Sequence, residues 1–144
     1  MTEYKNPGST ATLIVPDFDK ILLVKRKYEP YKGKLALPGG FLEYKKESLE
    51  KAAARELKEE TGLIVRLEDL KLLMVNSEPD RDPRDHVIDH VYLVRNYTGI
   101  LKAGDDAEKY EWFYVCDLPE LAFDHMKVIK YALAQDFFNR DYKM

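Results

Sequence analysis

Residues 48–62 constrain the fold more tightly than any other stretch of the chain. Ser48 is a residue type whose side-chain oxygen accepts from the backbone N–H groups of a helix's first turn, and Gly62 supplies a left-handed stop, so a helix is predicted over 48–61. Set Glu56 at zero on a wheel turning about 100° per residue: Glu60 then lies near ~40°, Glu59 near ~−60°, Leu49 near ~20°, Ala52 near ~−40° and Ala53 near ~60°. Lys51 and Lys58 fall roughly opposite. The carboxylates therefore continue the apolar stripe, whereas a solvated charged face would put acids beside lysines.

Three carboxylates on a partly buried surface repel one another, and without compensation one or more takes up a proton. A divalent cation removes that conflict. All-oxygen ligands favour Mg²⁺ or Mn²⁺ over zinc, and no cysteine and histidine cluster argues otherwise. A pair of acids four apart is common on helices, so the pair alone decides little.

Around this helix the chain alternates strand-like runs with turns. Residues 10–15 and 20–24 are β-branched and leucine-rich, and Pro16-Asp17-Phe18-Asp19 between them predicts a hairpin. Residues 28–34, with Pro30 and Gly33, read as a loop; 35–37 is a short strand stopped by Pro38-Gly39-Gly40. Strands are expected over 63–77 and 86–97, flanking a charged turn region over 78–85, and over 110–115 after a loop at 99–109. Apolar residues at helical spacing, among them Val128, Ala132 and Leu133, predict a closing helix over 124–136. This order suggests an α/β protein of the α+β kind, a mixed sheet with helices on both faces.

With 144 residues and no internal repeat or linker, one domain over 1–144 is expected. A net charge of −3 provides no field to hold nucleic acid or an anionic membrane, so an anionic substrate must be gripped locally. The single cysteine, Cys116, has no disulfide partner, no signal peptide is recognisable, and no apolar run nears the roughly 20 residues that span a bilayer. A cytoplasmic protein is expected, with a homodimer as one option.

Gly40, Glu47, Arg55-Glu56-Leu57, Glu59-Glu60 and Gly62-Leu63, taken together, resemble the Nudix box. From Glu47 onward the spacing agrees throughout, including seven residues between Glu47 and Arg55. Upstream there is one departure: the family has five residues between the glycine and the first glutamate, and here six intervene, 41–46. Such an insertion can bulge outward without moving the helix. The resemblance implies a Nudix-type α/β/α sandwich and pyrophosphohydrolase chemistry, with Glu56, Glu59 and Glu60 and the Gly39 carbonyl as Mg²⁺ or Mn²⁺ ligands. It implies that Arg55 and Glu47 orient these acids; Glu47 also suits a helix N-terminus on dipole grounds alone. The general base is left between Glu56 and an acid of the loop holding Asp105, Asp106 and Glu108, with Glu108 favoured, although such acidic loops are commonly just solvated.

Residues 25–124 resemble the ADP-ribose pyrophosphatase branch, in which Pro79, sixteen positions after Leu63, is a marker. This implies hydrolysis of ADP-ribose to AMP and ribose 5-phosphate. Arg81 or Arg84 could clamp phosphate or ribose through a planar fork, or simply form salt bridges within a polar turn. Tyr28 and Phe41 could stack an adenine, core packing being the alternative for Phe41. His86 and His90 lack a third ligand, and Cys116 lacks a basic neighbour in sequence, so neither is a chemical site. Rival readings are another nucleotide substrate (a dinucleoside polyphosphate, a nucleoside triphosphate or a nucleotide sugar) and a non-catalytic ADP-ribose sensor. Some sensors of this type carry a winged-helix segment, for which the stretch after the closing helix leaves no room.

Overall fold

The computed structural model describes residues 4–101 and 109–135. Strands β1 (Gly8–Ile14), β5 (Gly39–Phe41), β6 (Leu70–Asn76) and β7 (Val87–Val94) form one sheet in the order β5-β1-β7-β6. Strand β1 runs parallel to β7 and antiparallel to β5, so the sheet is mixed. In the second sheet, β3 (Lys20–Lys25) pairs with β2 (Pro16–Asp17), β4 (Leu35–Ala36) and β8 (Tyr110–Tyr114), all antiparallel.

Strand side chains alternate between faces, and here each face feeds its own core. Leu13, Leu22 and Tyr92 pack with Ala53 and Leu57 of helix α1 (Leu49–Thr61). Their neighbours Ile14, Ile21, Leu23 and Leu93 pack instead with Val128, Ile129 and Ala132 of helix α2 (His125–Ala134). Each fully buried leucine or isoleucine contributes roughly 1.5–3 kcal/mol, so both layers are firmly anchored. The result is the expected α/β/α arrangement. Helix α1 begins at Ser48, whose hydroxyl accepts from the Lys51 N–H, and ends at Gly62 in the left-handed region, as its sequence predicts.

Three expectations need correction. Residues 10–15 and 20–24 do not form a full hairpin with each other: they meet only near the turn, where Pro16–Asp17 pairs with Lys20–Ile21 and the Leu22 N–H donates to the Val15 carbonyl, and β1 leaves for the other sheet. Residues 11 and 13–15 are all fully buried, which suits a central strand covered on both sides and not a half-exposed hairpin arm. Gly39 and Gly40 do not merely stop a strand; they form β5 with Phe41. Residues 63–77 are not one strand, because the Ile64 bridge to Thr98 and a 3-10 turn at Leu67–Asp69 precede β6. Among the described residues, no helix is long and apolar enough to cross a membrane.

Candidate active site

Helix α1 packs against β1 and β5, which brings the end carrying Glu56, Glu59 and Glu60 against the glycine strand. A side chain on Gly40 would place its Cβ 2.4 Å from the Glu56 carboxylate, and one on Gly39 would collide with the Ala11 carbonyl at 2.1 Å. Glycine at 40 lets the strand lie directly on the acids, and glycine at 39 lets it close against β1. The Gly39 N–H donates to Glu60 Oε2 at 3.0 Å.

Arg55 ties the acids together. Its Nε and Nη2 donate to the two oxygens of Glu47, each at 2.8 Å, and its Nη1 donates to Glu56 at 3.0 Å and Glu59 at 3.2 Å. The bidentate bond from Arg55 is the main reason the Glu47 carboxyl is held down to about 2. The same bond raises Arg55 above its ordinary value. The extra residue before Glu47 sits in an outward turn, where Lys46 N–H donates to the Glu43 carbonyl and Tyr44 is exposed, so the insertion leaves this pairing intact.

Glu60 is held very differently. Burial, and then the charge on Glu56, pushes its carboxyl up to about 8; the Gly39 N–H and Arg26 pull the other way without offsetting this. Burial likewise raises Glu56, against the hydrogen bond from Arg55. A cation placed among these oxygens would reverse both shifts, and the donors are the hard oxygens that Mg²⁺ and Mn²⁺ accept. The fit is one of chemistry and placement: among the described residues no three His, Cys, Asp or Glu side chains already form a closed ligand set, since Arg55 engages Glu56 and Glu59.

Glu56, Glu59, Glu60 and Gly39 line a cavity of about 400 Å³ together with Arg26, Lys109 and Tyr28. Tyr28 is largely exposed at its mouth. A second cavity, about 70 Å³, lies beside it, and Arg26, Leu37 and Gly39 line both. The other three substrate candidates that the sequence singles out, Phe41, Arg81 and Arg84, belong to this second cavity. Arg84 lies over the Phe41 ring, 4.7 Å from its centroid, and bonds Asp82 at 2.7 Å. Phe41 is 41% exposed, so it is not a core residue. Arg81 takes the salt-bridged form that its sequence also allowed, though with a partner outside its own turn: its side chain is 6% exposed and its guanidinium bonds Asp124. Glu108 lies outside the described residues.

Residues 6–134 match the NUDIX domain family. The chain belongs to the Nudix family. It is 52% identical over 127 residues to an ADP-ribose pyrophosphatase of Methanocaldococcus jannaschii, an alignment covering 88% of this chain and 73% of the relative. A MutT/nudix family protein from Enterococcus faecalis superposes with a TM-score of 0.81 at 30% identity, over 99% of this chain and 68% of that one. A bifunctional NMN adenylyltransferase/ADP ribose pyrophosphatase from Francisella tularensis, crystallised with AMP and a manganese ion, gives a TM-score of 0.76 at 32% identity over 93% and 43%.

Several residues of this Nudix site escaped the sequence reading. Arg26, Asp89, Phe123, Asp124 and His125 all lie in or beside the second cavity, yet they come from three separate segments, near 26, 89 and 124, that lie far apart in the chain. Arg26, in the basic run Lys25-Arg26-Lys27, had the only local signal.

Proposed function

We propose that this Nudix chain is a Mg²⁺-dependent pyrophosphohydrolase acting as a single domain on a nucleoside diphosphate derivative, with ADP-ribose cleaved to AMP and ribose 5-phosphate. The observation that carries the reading is the convergence of Glu56, Glu59 and the buried Glu60 with the Gly39 backbone on the wall of the larger cavity. The 52% identity to a protein named for this activity supports the substrate.

Glu56, Glu59 and Glu60, with the Gly39 carbonyl, would hold the cation. When bound, it neutralises diphosphate oxygens and acidifies a water. Arg55, pinned by Glu47, keeps Glu56 and Glu59 aimed inward. Arg26, on the rim common to both cavities, meets a diphosphate spanning them, and Arg84 and Phe41 border the nucleoside side. Tyr28 offers a ring at the opposite mouth. Glu108 is the proposed general base and Glu56 its alternative. The partner is a small nucleotide and not a nucleic acid, and the compartment is the cytoplasm, in keeping with one exposed free cysteine.

The test is a panel of ADP-ribose, dinucleoside polyphosphates, nucleoside triphosphates and nucleotide sugars, assayed with Mg²⁺ and with chelator and resolved by product. AMP and ribose 5-phosphate from ADP-ribose, formed only with the cation, are expected. Free pyrophosphate from a triphosphate as the dominant product would move the substrate elsewhere in the family. Absence of turnover across the panel, with ADP-ribose still bound, would favour a sensor.

A further inference from the structure

Three consecutive residues between the two sheets are each held by a different element. Strand β3 pairs with this stretch as far as Ala36, and β1 takes it up again from Gly39. Leu37 and Pro38 cross the gap between the two ladders, and Pro38 has no N–H to give. The Leu37 N–H donates to Nδ1 of His125 at 3.0 Å, the Pro38 carbonyl accepts from the Leu13 N–H at 2.9 Å, and the Gly39 N–H donates to Glu60 Oε2 at 3.0 Å. The crossing is therefore gripped from α2, from β1 and from α1 in turn.

The grip from α2 has no part in the chemistry proposed above. His125 is 5% exposed, and its ring packs against Phe123 with 5.4 Å between centroids. A backbone N–H can only donate, so Nδ1 carries no proton and the imidazole is neutral. Among the described residues that line the larger cavity none comes from α2, yet Leu37 lines it beside Gly39, Glu56, Glu59 and Glu60. The Leu37 side chain is buried in the α2-side core, but apolar packing is non-directional and leaves the Ala36–Leu37 peptide plane free to tilt. A hydrogen bond has direction, and this one sets that plane two residues before the N–H that meets Glu60.

We infer that His125 is a positioning residue for the metal site, its Nδ1 fixing the Leu37 peptide and through it the placement of Gly39 against Glu60. The inference rests on the proposed metal site and adds to it a part from the opposite layer of the fold. A buried histidine that merely satisfied an N–H would support folding and leave the metal affinity of folded molecules unchanged.

The experiment measures Mn²⁺ binding, from the loss of the free-ion signal in electron paramagnetic resonance, in the wild type, His125→Leu, His125→Gln and His125→Asn. Asparagine places its Oδ1 as many bonds from the backbone as Nδ1; glutamine places its acceptor one bond too far, and leucine has none. His125→Leu and His125→Gln are expected to bind Mn²⁺ about tenfold more weakly and to lose kcat by about that factor with KM within about threefold, while His125→Asn keeps both. Thermal unfolding in chelator identifies the folded variants. Wild-type Mn²⁺ affinity in folded His125→Leu or His125→Gln overturns the inference, as does a folded His125→Asn that binds as weakly as they do. Failure of both His125→Leu and His125→Gln to fold shows that the bond serves the fold as a whole, and overturns it too. Binding is read without nucleotide, so the result does not depend on which substrate is cleaved. A wild type that binds no Mn²⁺ would instead sink the metal reading, and this inference with it.

Discussion

The two cavities on either side of Gly39 satisfy their charges in opposite ways. On the α1 side, Glu60 is buried among carboxylates with too little positive charge to hold it ionised. On the α2 side, Arg81 meets Asp124, Arg84 meets Asp82, and burial keeps His125 neutral, its Nδ1 accepting from the Leu37 N–H at 3.0 Å. One region is built to be completed by a cation; the other is a polar wall whose arginines already have carboxylate partners. The difference shows how a single sheet supports both charge chemistry and recognition: strain is concentrated where the ligand relieves it, and the neighbouring wall stays rigid without help.

The sharpest way to break this contrast is Glu60→Gln. Removal of the charge should lower turnover by at least ~10³-fold and leave the fold intact, or somewhat more stable at neutral pH, as measured by kcat and by thermal unfolding in chelator. Turnover close to wild type would remove Glu60 from the site.

Opposite pH slopes sharpen it further. The folded-state value of Glu60 is raised, so its contribution to stability is full below about pH 4.5 and is lost as pH rises toward 8, by a few kcal/mol without metal. Burial lowers His125 to about 4, so protons bind the unfolded chain first and its contribution is full above about pH 6.5 and lost as pH falls. At pH 5 that loss is about 2 kcal/mol. Denaturant titrations of metal-free wild type and Glu60→Gln between pH 4.5 and 8 should differ by the Glu60 slope, whereas the His125 slope should be common to both proteins. Parallel curves would contradict the charge assignment on the α1 side.

Arg55→Lys tests the link between fold and site. An ammonium cannot reproduce the two-pronged bond to Glu47 while also reaching Glu56 and Glu59, so activity should fall roughly 10–100-fold and the metal requirement should shift to higher concentration. The smallest effect belongs to a pair outside both regions: Glu120→Ala removes an exposed bridge to Lys34 and should change stability by less than about 0.5 kcal/mol.

Much of the α1 side is local in sequence, which is why it could be read in advance. Ser48, Leu57 and Gly62 declare a helix by capping and periodicity, and the positions of Glu56, Glu59 and Glu60 follow from the helical repeat alone. The order of alternating strands and helices likewise pointed to the layered fold. The errors arose where distant segments compete for the same strand. Residues 10–15 chose β7, 79 positions away at Thr10 and Asp89, over the adjacent hairpin arm. For Arg81 the sequence left clamp and salt bridge open, and its partner Asp124, 43 positions on, could not be read locally.

Sequence by itself determined helix α1, the placement of its acids on the buried stripe and the charge conflict that follows, because a helix relates residues three and four apart by a rigid local geometry. Only the tertiary structure decided the α2-side cavity. Thr10, Arg26, Phe41, Asp89 and Phe123 have no mutual spacing to read, and the contacts among them, the Thr10–Asp89 hydrogen bond and Arg26 over the Phe123 ring, exist only after two sheets and two helices have packed. The depth at which Asp89 lies is set by that packing and by no motif.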